Sequence, residues 1–135
     1  MQRVTLTLPR VRDMELTASK AASVLGDHIG MGQDKIDEMR MAVVEACINS
    51  FEHSGTSEVR VHLVVVGEDE DPQGLRITIE DGGVGFSVDK LQNRPREPRS
   101  MQKRGHGLRI IQGLMDTVDI QSDSHGTRVV MTKMC

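Results

Sequence analysis

A glycine-rich turn that follows an alternating apolar run constrains this chain more than any other segment. Residues 75–80 alternate apolar and polar side chains with the period of a half-buried strand, and they lead into Asp-Gly-Gly-Val-Gly at residues 81–85. Glycines tolerate positive φ and let the backbone approach a flat ring, while Asp81 can accept a hydrogen bond from an exocyclic amine. The segment indicates either a plain turn or a place that holds a purine.

Two further patterns favour the purine site. Upstream, Glu45 and Asn49 are four residues apart in a helical pattern, so they lie one turn apart on the same face. Downstream, Gly-His-Gly-Leu at residues 105–108 opens another helical pattern. The free amides and positive dipole end of a helix N-terminus suit phosphates. If each segment were only a solvated helix edge or an ordinary turn, the three would not be expected to occur together in this order.

These three segments resemble the sequence motifs, or boxes, of the GHKL ATPase superfamily. The superfamily includes gyrase-type topoisomerases, heat-shock chaperones, mismatch-repair ATPases and histidine kinases. The superfamily's first box is a helix with Glu and Asn, and its second is Asp-x-Gly-x-Gly. Its third is Gly-x-Gly-Leu, and a Gly-Thr pair before the last strand is a further mark. The matching residues are Glu45, Asn49, Asp81, Gly83, Gly85, Gly105, Gly107, Leu108, Gly126 and Thr127.

The resemblance extends over nearly the whole chain, from about Val4 to Lys133. Within the superfamily, the short length and the phrases at residues 44–49 and 113–116 are most similar to the bacterial anti-sigma factor serine-protein kinases. The resemblance implies a nucleotide held between the helices and a lid.

The periodicity predicts an α+β fold. Strands are expected at residues 4–8, 58–66, 75–80, 118–121 and 127–132, with an acidic hairpin turn at 67–74. Helices are expected at residues 14–29, with Asp13 as N-cap and Gly30 as stop, at 34–52, and after Gly107. The second helix is apolar on two sides, which predicts burial on both. We expect one domain, residues 1–135, forming a two-layer sandwich in which helices cover one face of a mixed, mostly antiparallel sheet.

Composition argues against several classes of function. The net charge is −3 and the chain has no Trp or Tyr, so neither electrostatics nor stacking supports nucleic-acid binding. No apolar stretch approaches the roughly 20 residues that span a bilayer, and the N-terminus has no signal-peptide core. Two cysteines without a Cys-x-x-Cys pair suit a cytoplasmic location.

The resemblance also implies roles for individual residues, with ATP and Mg²⁺ as cofactors. Asn49 would be the protein ligand of Mg²⁺, and Glu45 would accept the proton of the attacking group. Asp81 would bind the adenine amine, with the Thr127 hydroxyl nearby.

The third box and the segment before it would complete the phosphate site. Lys103 or Arg104 would neutralise the γ-phosphate. His106 is either incidental between two required glycines or a phosphate donor. The basic segment 87–104 is expected to be a mobile lid.

Three functions remain open at this level. The first is a serine/threonine-protein kinase that phosphorylates a STAS-type anti-sigma antagonist and sequesters a sigma factor, with a homodimer possible. The second is an ATP-binding anti-sigma or partner-switch module with little or no transfer activity. The third is a histidine-kinase catalytic domain, which is disfavoured because only one helix precedes the Glu/Asn helix.

Overall fold

A long β-hairpin forms the centre of the fold. The computed structural model describes residues 2–53, 57–82, 108–124 and 126–135. Strands β2 (Glu58–Glu68) and β3 (Asp71–Asp81) bury alternate residues, as the apolar period predicts. The predicted hairpin tip at 67–74 is confirmed, but its turn is shorter than predicted, because Gly67 pairs with Pro72 and Glu68 with Asp71. The charged run is therefore the paired tip of the hairpin, and Gly67, with φ 97, lies at the register shift.

Three more strands extend this hairpin into a five-stranded sheet. They are β1 (Arg3–Pro9), β4 (Thr117–Asp123) and β5 (Gly126–Met134), and the spatial order is β1-β2-β3-β5-β4. All four pairings between these strands are antiparallel. The chain thus leaves β3, forms the far edge as β4, and returns as β5 beside β3. The predicted α+β class is confirmed, and no parallel pair occurs among the described strands.

Helices α1 (Met14–His28) and α2 (Gln33–His53) pack together and against the sheet. Gly26 of α1 permits this close approach, since a Cβ there would lie 3.1 Å from both Ile36 and Met39. Gly30, with φ 81, follows the end of α1 as predicted. Asp13 occupies the N-cap position as predicted, with φ 73, but its side chain makes no capping hydrogen bond.

One face of α2 is buried and the opposite face is not. Met39, Val43, Ala46 and Cys47 are buried, whereas Met41 is 58% exposed. The expectation that both apolar stripes are buried is therefore wrong at Met41, while the rest of the second stripe, Val44, Ile48 and Phe51, is half-buried. Burial, together with the nearby Glu15 carboxylate, raises the pKa of the Cys47 thiol to about 12, so Cys47 is a neutral packing residue.

The third helix, α3, is described over residues 108–114 and contributes the buried Ile111 to the core. Across the described ranges, no helix has both the length and the apolar character needed to cross a membrane.

The sheet face away from the helices carries an ion cluster around Glu80. His62 Nε2 lies 2.8 Å from Glu80 Oε1, and Arg128 Nη2 donates to Oε2 over 3.1 Å. Arg60 Nε is 3.9 Å from Oε1. The hydrogen bond with His62, reinforced by Arg128, holds the pKa of Glu80 below its ordinary value despite partial desolvation. Glu80 therefore joins three strands electrostatically.

This cluster predicts a pH-dependent stability. Because folding lowers the pKa of Glu80, its contribution is present above the unfolded pKa of roughly 4.3 and is lost as the pH falls through the folded value. Glu80→Gln should reduce the free energy of unfolding by about 0.5–1 kcal/mol at pH 7, the range of solvent-screened pairs. The deficit should shrink towards pH 3.

Urea unfolding at several pH values measures this difference. Glu68→Gln, an exposed carboxylate at the hairpin tip, is the matched control and should give a smaller change. A Glu80→Gln deficit that is constant from pH 7 to pH 3 would contradict the assignment.

Candidate nucleotide site

Asp81 and Thr127 form the polar end of an otherwise apolar sheet face. The strand alternation that buries Ile77 and Ile79 continues to Asp81, which therefore faces the helices rather than solvent. The register pairs Asp81 with Thr127 on β5. Their exposed fractions are only 7% and 5%. A carboxylate and a hydroxyl are thus buried side by side where β3 ends.

Hydroxyl groups from two other elements reach this pair. Ser50 Oγ, near the C-terminal end of α2, donates to Asp81 Oδ2 over 3.4 Å. Ser122 Oγ on β4 lies 3.2 Å from Thr127 Oγ1. An ionised carboxylate has about four lone-pair sites, so Asp81 can accept from several donors at once, a ligand amine among them. This donor and acceptor set fits the amine and ring nitrogens of adenine.

Gly126 allows the two strands to meet at this point. Its φ is 143, a conformation that L side chains rarely adopt. A Cβ at Gly126 would also lie against the Asp81 carbonyl oxygen, closer than van der Waals contact permits. The Gly-Thr pair therefore has a physical basis, since glycine lets β5 approach β3 and the next residue places its hydroxyl beside Asp81.

Helix α2 carries two further candidates, Glu45 and Asn49, and both are half-buried. Asn49 immediately precedes Ser50, so the helix segment that reaches Asp81 also carries the proposed metal ligand. Glu45 lies about 7.5 Å before Ser50 along the helix axis.

Two cavities flank this arrangement. Glu45 lines a groove of about 460 Å³ between α1, α2 and α3, with apolar walls from Leu16, Met41, Val44 and Ile110. A second cavity of about 320 Å³ lies at the end of the sheet and is lined by Asp81, Gly82, Gly126 and Thr127 together with polar residues of the outer face. Glu45 and Asp81 therefore face separate cavities in the described part of the chain.

The described residues fit Mg²⁺ only as an ion with few protein ligands. Among them, no group of three or more His, Cys, Asp or Glu side chains could form a protein cage. Mg²⁺ commonly keeps several waters and takes one or two protein oxygens plus substrate phosphates. The side-chain carbonyl of Asn49 is a suitable oxygen for that coordination.

Several predicted site residues lie outside the described ranges. They are Gly83, Gly85, Lys103, Arg104, Gly105, His106 and Gly107, together with the segment 87–104 that is predicted to be a lid. Leu108 is the first described residue of α3 and is half-buried.

Ser50 is a site residue that the sequence motifs did not reveal. It follows Ala46 by four residues and Cys47 by three, so it continues the buried stripe of α2. A polar residue on a buried stripe was the available signal. Ser122 had no comparable signal, because its contact depends on the register of β4 with β5.

Comparison with known proteins identifies the family. The family model described as "Histidine kinase-like ATPase domain" matches residues 8–133 of the chain. The chain belongs to this family. Among curated relatives, a serine-protein kinase RsbW of Bacillus cereus is 29% identical over 140 residues, covering 98% of this chain and 84% of the relative. The RsbW of Bacillus mycoides is 28% identical with the same coverage.

Solved structures of other proteins have the same fold. The structure of the RsbU and RsbW domains of Rv1364c from Mycobacterium tuberculosis superimposes with a TM-score of 0.70 at 16% identity. It covers 99% of this chain and 33% of that longer chain. The SiaB-SiaC complex from Pseudomonas aeruginosa gives a TM-score of 0.59 at 8% identity, with 98% and 89% coverage. Membership of the ATPase family implies the use of ATP.

The position of Asp81 predicts that its substitution weakens ATP binding. Asp81→Asn replaces one carboxylate oxygen with an amide donor, so an adenine amine bound there would lose a charged acceptor while the side-chain volume is kept. We expect the dissociation constant for ATP to rise roughly 10- to 100-fold, as for loss of a hydrogen bond to a charged group.

Isothermal titration calorimetry measures this constant. Asp119→Asn, the same change at an exposed position of β4, is the matched control and should bind ATP like the wild type. Unchanged ATP affinity in a folded Asp81→Asn protein would refute the role of Asp81.

Proposed function

We propose that this protein is an ATP- and Mg²⁺-dependent serine kinase of a partner-switching system. It phosphorylates a serine of a STAS-type anti-sigma antagonist and, when the antagonist does not occupy it, sequesters a sigma factor. The observation that carries the proposal is the buried Asp81–Thr127 pair, which contacts the same helix that presents Glu45 and Asn49. The curated RsbW relatives, named as serine-protein kinases, support the reaction type.

The described residues have separable tasks in this proposal. Asp81 accepts a hydrogen bond from the adenine amine, and the Thr127 hydroxyl lies beside it. The Asn49 carbonyl would hold Mg²⁺, and the metal ion would neutralise charge on the triphosphate that supplies the phosphoryl group. Glycines 83, 85, 105 and 107, with Lys103 or Arg104, would complete the phosphate site.

Glu45 is proposed as the general base. It is one helical turn before Asn49 on the same face, so it can meet a group that approaches the phosphates without binding the metal itself. The groove that Glu45 lines is open between three helices and has room for a protein segment. In the reaction, the Glu45 carboxylate accepts the proton of the substrate serine hydroxyl while that oxygen bonds to the γ-phosphorus of ATP. The bond from the γ-phosphorus to the β–γ bridging oxygen breaks, and ADP leaves.

The partners proposed for this chain are proteins. The SiaB-SiaC structure is a complex of two proteins, one of which has this fold, and the RsbW relatives carry a serine-protein kinase name. We propose that this chain binds both the antagonist and the sigma factor through protein–protein contacts.

The Glu45 assignment predicts a loss of transfer without a loss of binding. Glu45→Ala should leave the ATP dissociation constant nearly unchanged but slow phosphoryl transfer by roughly 10²- to 10⁴-fold, the range for a positioned base. The assay follows radiolabel from ATP to a serine of the antagonist protein.

Asp34→Ala is the matched control, because Asp34 is an exposed carboxylate in the first turn of the same helix and does not line the groove. It should retain transfer within a few-fold of wild type. If the wild-type protein binds ATP and its authentic antagonist but transfers no label, the protein is an ATP-gated binding module and the kinase proposal is wrong.

A further inference from the structure

Lys133 is a lysine whose charged end lies inside the fold. It is on the helix-covered face of β5, in register with Leu75 of β3, and is 6% exposed. Lysine is rarely buried to this extent unless the ammonium group has partners, because desolvating an unpaired charge is costly. Its partners therefore show which elements it joins.

The Lys133 ammonium group joins two helices to the sheet. It donates to the main-chain carbonyl of Leu114, the last helical residue of α3. It also lies 3.1 Å from Glu38 Oε2 on α2. A cation at a helix C-terminus is favourable, since the exposed carbonyls there carry partial negative charge. One side chain thus links β5, α2 and the end of α3.

Asp116 strengthens the same junction. Its amide donates to the Thr132 carbonyl over 2.9 Å, and its Oδ2 accepts from the Met134 amide over 2.6 Å. The buried side chains of Ile111 and Met115 supply apolar contact on either side of Leu114. The C-terminal end of α3 is therefore fixed by both charge and packing.

We propose that Lys133 is a positioning residue for the nucleotide site, acting by holding α3 and α2 in fixed relation to the sheet. The inference rests on the proposed function, because α3 directly follows the Gly-His-Gly segment at 105–107 and α2 carries Glu45 and Asn49. The described part of α3 is only about 10 Å long. A short rigid helix transmits a shift at its C-terminus to its N-terminus.

Lys133→Met tests this role because methionine keeps most of the buried volume and removes both polar contacts. We expect the dissociation constant for MgATP to rise about 2- to 30-fold, the effect of coupling mutations remote from a ligand. Lys133→Arg keeps the charge and donors and should recover most of the affinity. Lys35→Met, the same change at an exposed position of α2, should have no effect.

Hydrogen exchange without nucleotide gives a second readout. In Lys133→Met, amides of residues 109–115 should exchange faster than in the wild type, while those of the β2–β3 hairpin keep their protection. If Lys133 were only a stability residue, exchange would rise throughout the fold and the folded protein would bind MgATP normally. That result overturns the inference.

Glu38→Gln covers the case in which Lys133→Met does not fold. Glu38 is partly exposed, so its amide variant should fold, with a smaller rise in the MgATP dissociation constant and faster exchange in α3. An unchanged MgATP dissociation constant together with unchanged exchange in α3 would also overturn the inference. A wild type that binds no MgATP in these titrations refutes the proposed function, whereas binding that is insensitive to Lys133 and Glu38 refutes only the positioning role.

Discussion

The placement of α2 on the sheet depends on polar contacts at both of its ends. Ser50 meets Asp81 at one end, and Glu38 meets Lys133 at the other. From residue 38 to 50 the helix rises about 18 Å. From Leu75, the register partner of Lys133, to Asp81 the strand rises about 20 Å. These lengths agree, so α2 runs along β3, and Glu45 and Asn49 lie between two fixed points.

Between those points the contact is apolar and therefore weakly directional. Met39, Val43 and Ala46 of α2 belong to the same hydrophobic core as Ile77, Ile79 and Met131 of the sheet. Burial of such side chains supplies most of the driving force but tolerates small sliding movements. The polar ends define the register that the apolar centre leaves loose. The contrast between an apolar centre and polar ends explains why the buried polar residues of the helix-covered face, Asp81, Thr127 and Lys133, occur near the ends of β3 and β5.

The sequence pattern was sufficient to predict the features that depend on local periodicity. Alternation predicted the strand that leads into Asp81, and helical spacing put Glu45 and Asn49 on one face of α2. The errors arose where pairing overrides local composition. Residues 67–74 were predicted to be a turn, yet Gly67 and Glu68 pair with Pro72 and Asp71, because solvent-facing positions of a hairpin accept charge.

Contacts distant in sequence could not be predicted in the same way. Lys133 reaches Glu38 across 95 residues, and only the placement of β5 between β3 and β4 brings them together. Ser50 could have been suspected from its place on a buried stripe, but its partner required knowledge of the direction of α2. Met41 appeared suited to burial, whereas it borders an open groove.

Selectivity between ATP and GTP is the most direct test of the account, because it depends on the chemistry of the buried Asp81 acceptor. Adenine offers an amine donor at its 6-position, whereas guanine has a carbonyl acceptor there that cannot donate to the carboxylate. Calorimetry with the magnesium complexes of both nucleotides should show GTP binding at least roughly 10-fold more weakly, the effect of placing two acceptors together in a buried site. Equal affinities for ATP and GTP, or no binding of either, would contradict the account.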